Sequence, residues 1–90
     1  MGLVRPVSAA APAQQPGAQE LDLRGLNCPL PVLKTRRRLS AMAADEELIV
    51  LTTDPLAVID IPAFCKEAGH LLLESADSAG GHRFRLRKTA

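Results

Sequence analysis

The stretch Leu21-Asp22-Leu23-Arg24-Gly25-Leu26-Asn27-Cys28-Pro29-Leu30-Pro31 decides the fold, because one backbone period gives way to another inside it. Its first four residues alternate apolar and polar, as a half-buried strand does, and Gly25 ends them. Over residues 29–42 the apolar spacing becomes helical: Val32, Thr35, Leu39 and Met42 share a stripe, Leu33 lies beside it, and arginines lie opposite. Proline suits the first helical turn, where its missing N–H had no partner to lose. Pro29 is therefore expected at N1 and Cys28 at the N-cap. There the sulfur would face unpaired N–H groups at the positive end of the helix, which stabilise a thiolate and lower its pKa from about 8.5. A thiolate is the nucleophilic form, so Cys28 is the candidate reactive residue.

The same punctuation recurs downstream. Residues 47–53 contain Leu48-Ile49-Val50-Leu51, a near-continuous apolar run of the kind a covered central strand needs. Asp54-Pro55 then repeats the pairing of a capping residue with a proline at N1. Val58, Ile61, Cys65 and Ala68, with Phe64 alongside, form a second amphipathic stripe, and Gly69 is its expected C-cap. Pro62 falls inside that stripe. It predicts either a kink or a restarted helix capped by Asp60, since an interior proline costs about 3 kcal/mol. Residues 71–76 and 83–87 alternate around Ser78-Ala79-Gly80-Gly81, a hairpin signal.

The element order is thus βαβαββ. Its opening strand-helix-strand unit predicts a parallel pair with a right-handed crossover. The whole predicts an α/β (α+β) two-layer sandwich, a mixed four-stranded sheet with two helices on one face. Neighbouring parallel strands end on the same edge, so Cys28 and Asp54 should share that edge if the first two strands are adjacent.

Composition narrows what such a domain can do. Aromatic residues are only 2% of the 90, so the core must be built from Leu, Val, Ile and Ala. A deep substrate pocket is hard to carve from so little material, and chemistry at the surface is the natural expectation. The formal net charge of +1 gives no global field for nucleic acid or membrane. With stacking aromatics absent, the arginine run makes only a weak case for nucleic-acid binding. Residues 1–19 are rich in Ala, Pro and Gln and read as a disordered leader ahead of a domain over residues 20–90. Prolines interrupt their apolar positions, which leaves no signal core or membrane span and points to the cytoplasm, where thiols stay reduced.

Cys28 and Cys65 form no C-x-x-C pair, and the two histidines, His70 and His82, lack metal-ligand spacing, so no metal site and no cofactor are expected. A disulfide between the two cysteines is possible but unfavoured in a reducing compartment. Cys65 lies on the apolar stripe and reads as a packed thiol. Lys34, Arg36 and Arg37 belong to a basic run that is either a solvated helix face or a docking surface for acidic partners.

The quoted run, followed by Thr53-Asp54-Pro55 and then by Asp60-Ile61-Pro62 with Phe64-Cys65, resembles the TusA family of sulfur carrier proteins over about residues 20–88. The resemblance implies the two-layer sandwich just deduced, similar to the C-terminal domain of a bacterial translation initiation factor. It also implies that Cys28 carries sulfur as a persulfide, received from a cysteine desulfurase or rhodanese-like donor and passed to an acceptor protein. In this reading Pro29 and Pro31 set the entry of the first helix, and Asp54 and Asp60 match acidic positions of the family motif. The chain departs at Leu30, where tRNA-thiolating members have C-P-E-P, and at Ile59, where they have arginine. Both positions flank expected partner contacts. Thiolated tRNA, molybdenum cofactor maturation and sulfur oxidation all stay open as destinations, and a monomer suffices for a single-site carrier. The competing expectation is a small thiol-based redox or regulatory module without sulfur transfer.

Overall fold

The apolar run at residues 48–51 becomes an interior strand, and the sheet is organised around it. The computed structural model describes residues 18–89. Six elements follow in the expected order: β1 (Ala18–Asp22), α1 (Leu30–Ser40), β2 (Glu47–Thr52), α2 (Ala57–Ala68), β3 (Leu71–Ser78) and β4 (Gly81–Arg87). The sheet order is β1-β2-β4-β3, with β1 parallel to β2 and both other pairings antiparallel. Asp22 lies opposite Leu51, so β1 and β2 end together and feed both helices from one edge.

Burial along β2 alternates strictly, with Leu48, Val50 and Thr52 buried and the residues between them half-buried. Period-two burial means that the helices cover one face only. On that face Leu48 and Val50 meet Phe84 and Leu86 from β4, Leu39 from α1, and Ile61, Phe64 and Cys65 from α2. The other face carries a row of arginines on β4. Arg85 and Arg87 both pair with Glu47, and Arg83 pairs with Glu74, which offsets charges that would otherwise repel along the strand.

Several boundaries differ from the sequence reading. β1 opens at Ala18, ahead of the expected start at Glu20; of the expected leader, residues 1–17 lie outside the described residues. Helix α1 begins at Leu30, with Pro29 as N-cap and Pro31 inside the first turn, so Pro29 is not N1 and Cys28 is not the cap. The reason is local: the Leu30 N–H donates back to the Asn27 carbonyl and closes a turn, and the Leu33 N–H to the Pro29 carbonyl is the first helical bond. Helix α2 likewise starts at Ala57 with Leu56 as N-cap, and it runs unbroken through Pro62, so Asp60 caps nothing. That start rotates the buried stripe onto Ala57, Ile61, Phe64 and Cys65, leaving Val58 and Ala68 exposed. Leu33, expected beside the α1 stripe, is also exposed.

The hairpin closes through Ala79 and Gly80, both at positive φ, as a two-residue turn between twisted strands requires. Gly81 is required by contact rather than by conformation. A Cβ there would collide with the Thr52 carbonyl of β2.

Candidate functional site

Two loops leave the shared edge of β1 and β2, and backbone donors of the first bond to side chains of the second. The Gly25 N–H donates to Thr53 Oγ1 at 2.8 Å, and the Cys28 N–H donates to Asp54 Oδ2 at 2.7 Å. Gly25 adopts φ +89°, a left-handed conformation that costs glycine little and lets the chain leave β1 sharply. The other oxygen of Asp54 accepts the Leu56 N–H at 3.1 Å. Asp54 is buried, and its carboxylate joins the loop carrying Cys28 to the turn ahead of α2. It stabilises that turn, whereas the helix itself is capped at Leu56.

Cys28 is exposed, and its S–H lies 3.3 Å from Asp60 Oδ2, the acceptor in the first turn of α2. This reverses the expected electrostatics. The hydrogen bond to Asp60 favours the protonated sulfur, some desolvation adds to it, and the negative charges of Asp60 and Asp54 act in the same direction, so the thiol is pushed above its ordinary value. A depressed pKa was expected from an N-cap sulfur. The sulfur is not at the cap, and two acids occupy the place where helix N–H groups were anticipated.

Cys65 behaves as the stripe predicted. It is buried, and desolvation pushes its thiol up to about 11. Both cysteines are free, so the possible Cys28–Cys65 disulfide is not formed.

Of the other expected site residues, Pro31 is buried at the start of α1, Pro29 is exposed and lines a groove with Cys28, and Leu30 is exposed as the first residue of α1. Arg36 lines a groove of about 260 Å³ between the two helices, together with Cys28, Asp60 and Glu67. Its guanidinium lies 5.3 Å above the Phe64 ring, a cation–π distance. Lys34 and Arg37 sit on the exposed side of α1 and make no ion pair among the described residues. No group of three or more His, Cys, Asp or Glu is arranged for a metal ion among the described residues.

The sequence reading missed the exposed apolar side chains at the helix starts. Leu33, Leu56, Val58 and Ile59 are all exposed near the starts of the two helices. The available signal was that Leu56 and Ile59 fall outside the α2 stripe, which placed them toward solvent. The thread from Thr53 to Gly25 was also missed, because nothing local to either residue announces it.

A two-layer α+β domain with one exposed thiol held between loops at a sheet edge defines a class of small proteins whose chemistry is done at the surface, on a group brought by another molecule. The comparisons name the family. The profile described as Sulfurtransferase TusA matches residues 19–88. A sulfur carrier protein TusA of Allochromatium vinosum is 45% identical over 71 residues, which is 79% of this chain and 93% of the relative. A sulfur carrier protein TusA of Pseudomonas putida is 43% identical over 70 residues, 78% of this chain and 88% of that protein. The chain belongs to the TusA family. No helix among the described residues is long and apolar enough to cross a membrane.

Proposed function

We propose that this chain is a sulfur carrier, a sulfurtransferase in the carrier sense, which accepts sulfane sulfur as a persulfide on Cys28 and relays it to an acceptor protein. The observation that carries this reading is the exposed Cys28 sulfur on an edge where Asp54 fixes the backbone beneath it. A group fixed in this way can be offered to successive partners without a pocket.

In loading, a donor persulfide docks and the Cys28 S–H loses its proton. The sulfur attacks the donor's terminal sulfur; one S–S bond forms as the donor's breaks, and the departing donor thiolate takes up a proton. In unloading, an acceptor thiolate attacks the terminal sulfur of the Cys28 persulfide. Cys28 leaves as a thiolate and is reprotonated, with Asp60 positioned to accept the restored S–H. No electrons are gained or lost overall. The donor is of the cysteine desulfurase or rhodanese-like kind, and the reaction belongs in a compartment that keeps thiols reduced, as the cytoplasm does. Leu30, Lys34, Arg36 and Arg37 form the docking face beside the sulfur, the cations meeting acidic groups of a partner.

Incubation with a cysteine desulfurase and cysteine is expected to add one sulfur atom to Cys28 by mass spectrometry. Cys28→Ser should abolish the gain and Cys65→Ser should keep it. Wild-type protein that takes up no sulfur from desulfurase or rhodanese donors would sink the carrier reading.

A further inference from the structure

The geometry around Cys28 points to the kind of partner that can use it. Leu30 follows Cys28 by two residues at the start of α1, and Leu56 and Ile59 precede Asp60 at the start of α2; all three are exposed, Ile59 at 67%. A partner that reaches Cys28 closely enough for sulfur exchange also comes against Asp60, whose carboxylate lies 3.3 Å from the sulfur, and takes it out of water; Asp54 is already buried. The two acids differ in readiness. Asp54 already receives two backbone N–H bonds. Among the described residues Asp60 receives only the thiol S–H, a weak donor, and has no ion pair. A carboxylate desolvated without a partner costs several kcal/mol, so an interface that buries Asp60 needs a cation against it.

Among the described residues the nearby charges do not supply one. Facing the same groove are Arg36 from α1 and Glu67 from α2, while Asp54 approaches from the β2–α2 loop. The Arg36 guanidinium is engaged over Phe64, and no described arginine or lysine is within ion-pair distance of Asp60.

We propose that Asp60 holds Cys28 as a thiol in the free protein and selects a sulfur donor that brings an arginine or lysine side chain against it. The proposal rests on the carrier reading above and names the chemistry of its donor. Arrival of the cation has two consequences. It satisfies the carboxylate that docking would strand, and it offsets the charge that keeps the proton on sulfur. Cys28 is therefore activated in the docked complex and stays protonated away from it.

The test uses small disulfides as charge probes of the sulfur. The rate of mixed-disulfide formation at Cys28 is measured with cystamine, which carries ammonium groups, and with dithiodipropionate, which carries carboxylates. The rate ratio is compared with that of free mercaptoethanol. Wild type is expected to favour cystamine by about tenfold more than mercaptoethanol does, and Asp60→Asn to remove most of that preference, a shift of about one pKa unit in effect. Asp60→Glu should restore it. High salt should compress the wild-type ratio, a reading that needs no variant to fold. A wild-type ratio equal to that of mercaptoethanol, or one that neither salt nor Asp60→Asn changes, overturns the proposal. Sulfur uptake from a desulfurase is read separately by mass. Failed uptake with an intact charge preference counts against the carrier reading alone, and normal uptake with no preference counts against the selection by Asp60 alone.

Discussion

Replacing Asp54 with alanine tests whether the site is held from the second loop, and the structure supplies the size of the effect. The buried carboxylate accepts the Cys28 N–H at 2.7 Å and the Leu56 N–H at 3.1 Å. A hydrogen bond to a charged group contributes about 1.5–3 kcal/mol. The shorter of these is at the charge-assisted length. The longer lies at a turn where water can replace the lost oxygen. Counting both at the bottom of that range gives a loss of about 3 kcal/mol. For a domain of this size about 1 kcal/mol moves the unfolding midpoint by roughly 4–8 °C, so a fall of roughly 12–24 °C is expected. Asp54→Asn keeps one acceptor oxygen and turns the other into a donor facing an N–H, so it should lose at least half as much. Urea unfolding gives the free energy, and hydrogen exchange at the Cys28 amide reports the local bond. A loss below about 0.5 kcal/mol with unchanged exchange at Cys28 would refute the reasoning, because the two loops would then be joined by something other than this carboxylate.

Three further outcomes follow from the same geometry. Gly81→Ala drives a Cβ into the Thr52 carbonyl and should cost about 1–3 kcal/mol by denaturant unfolding; a neutral result would mean that β2 and β4 can separate there without penalty. Thr35→Val removes a fully buried hydroxyl that has no hydrogen-bond partner, and stability should rise by about 1 kcal/mol; a loss would show that the hydroxyl is bonded in solution. Glu47 is held below the ordinary value of 4.5, chiefly by its hydrogen bonds to Arg87 and Arg85. Its folded pKa is the lower one, so its contribution is complete above pH 4.5 and is lost as pH falls through the folded value. Acid unfolding curves should therefore be less steep below that pH in Glu47→Gln than in wild type, and identical slopes would remove Glu47 from the acid response.

How much was legible beforehand divides along the range of the interactions. Alternation in Leu21-Asp22-Leu23-Arg24 and the apolar run at 48–51 are local; the run lies wholly in β2, while β1 ends at Asp22 and Arg24 is already in the turn. The parallel pairing of β1 with β2 followed from the intervening helix, and with it came the shared edge where Cys28 meets Asp54. The helix starts were displaced for a reason found within a few residues. Each proline sits in a turn that bonds back before the helix begins, so a capping pattern located the region without fixing the phase. In α2 the two-residue displacement, from Pro55 to Ala57 as the first helical residue, left Val58 exposed and put Ala57 in the core.

The acid that weighs most on the sulfur was not legible, although Asp54 on the shared edge already argued against a thiolate. Asp60 lies 32 residues from Cys28 in the chain and 3.3 Å from its sulfur in the fold. Charge interactions depend on separation in space and on the dielectric between the groups, and neither is written in the spacing of residues along the chain. The sequence by itself determined the strands, the helices and their order, and it singled out Cys28 as the candidate thiol, since these readings rest on periodicity, proline and glycine acting on near neighbours. Only the tertiary structure decided what surrounds that cysteine: an acid accepting its thiol hydrogen bond, a second acid fixing its backbone, and a groove between α1 and α2 lined by Arg36 and Phe64. Residues from α1, α2 and two loops meet there because the parallel pairing of β1 with β2 brings both strand ends to one edge.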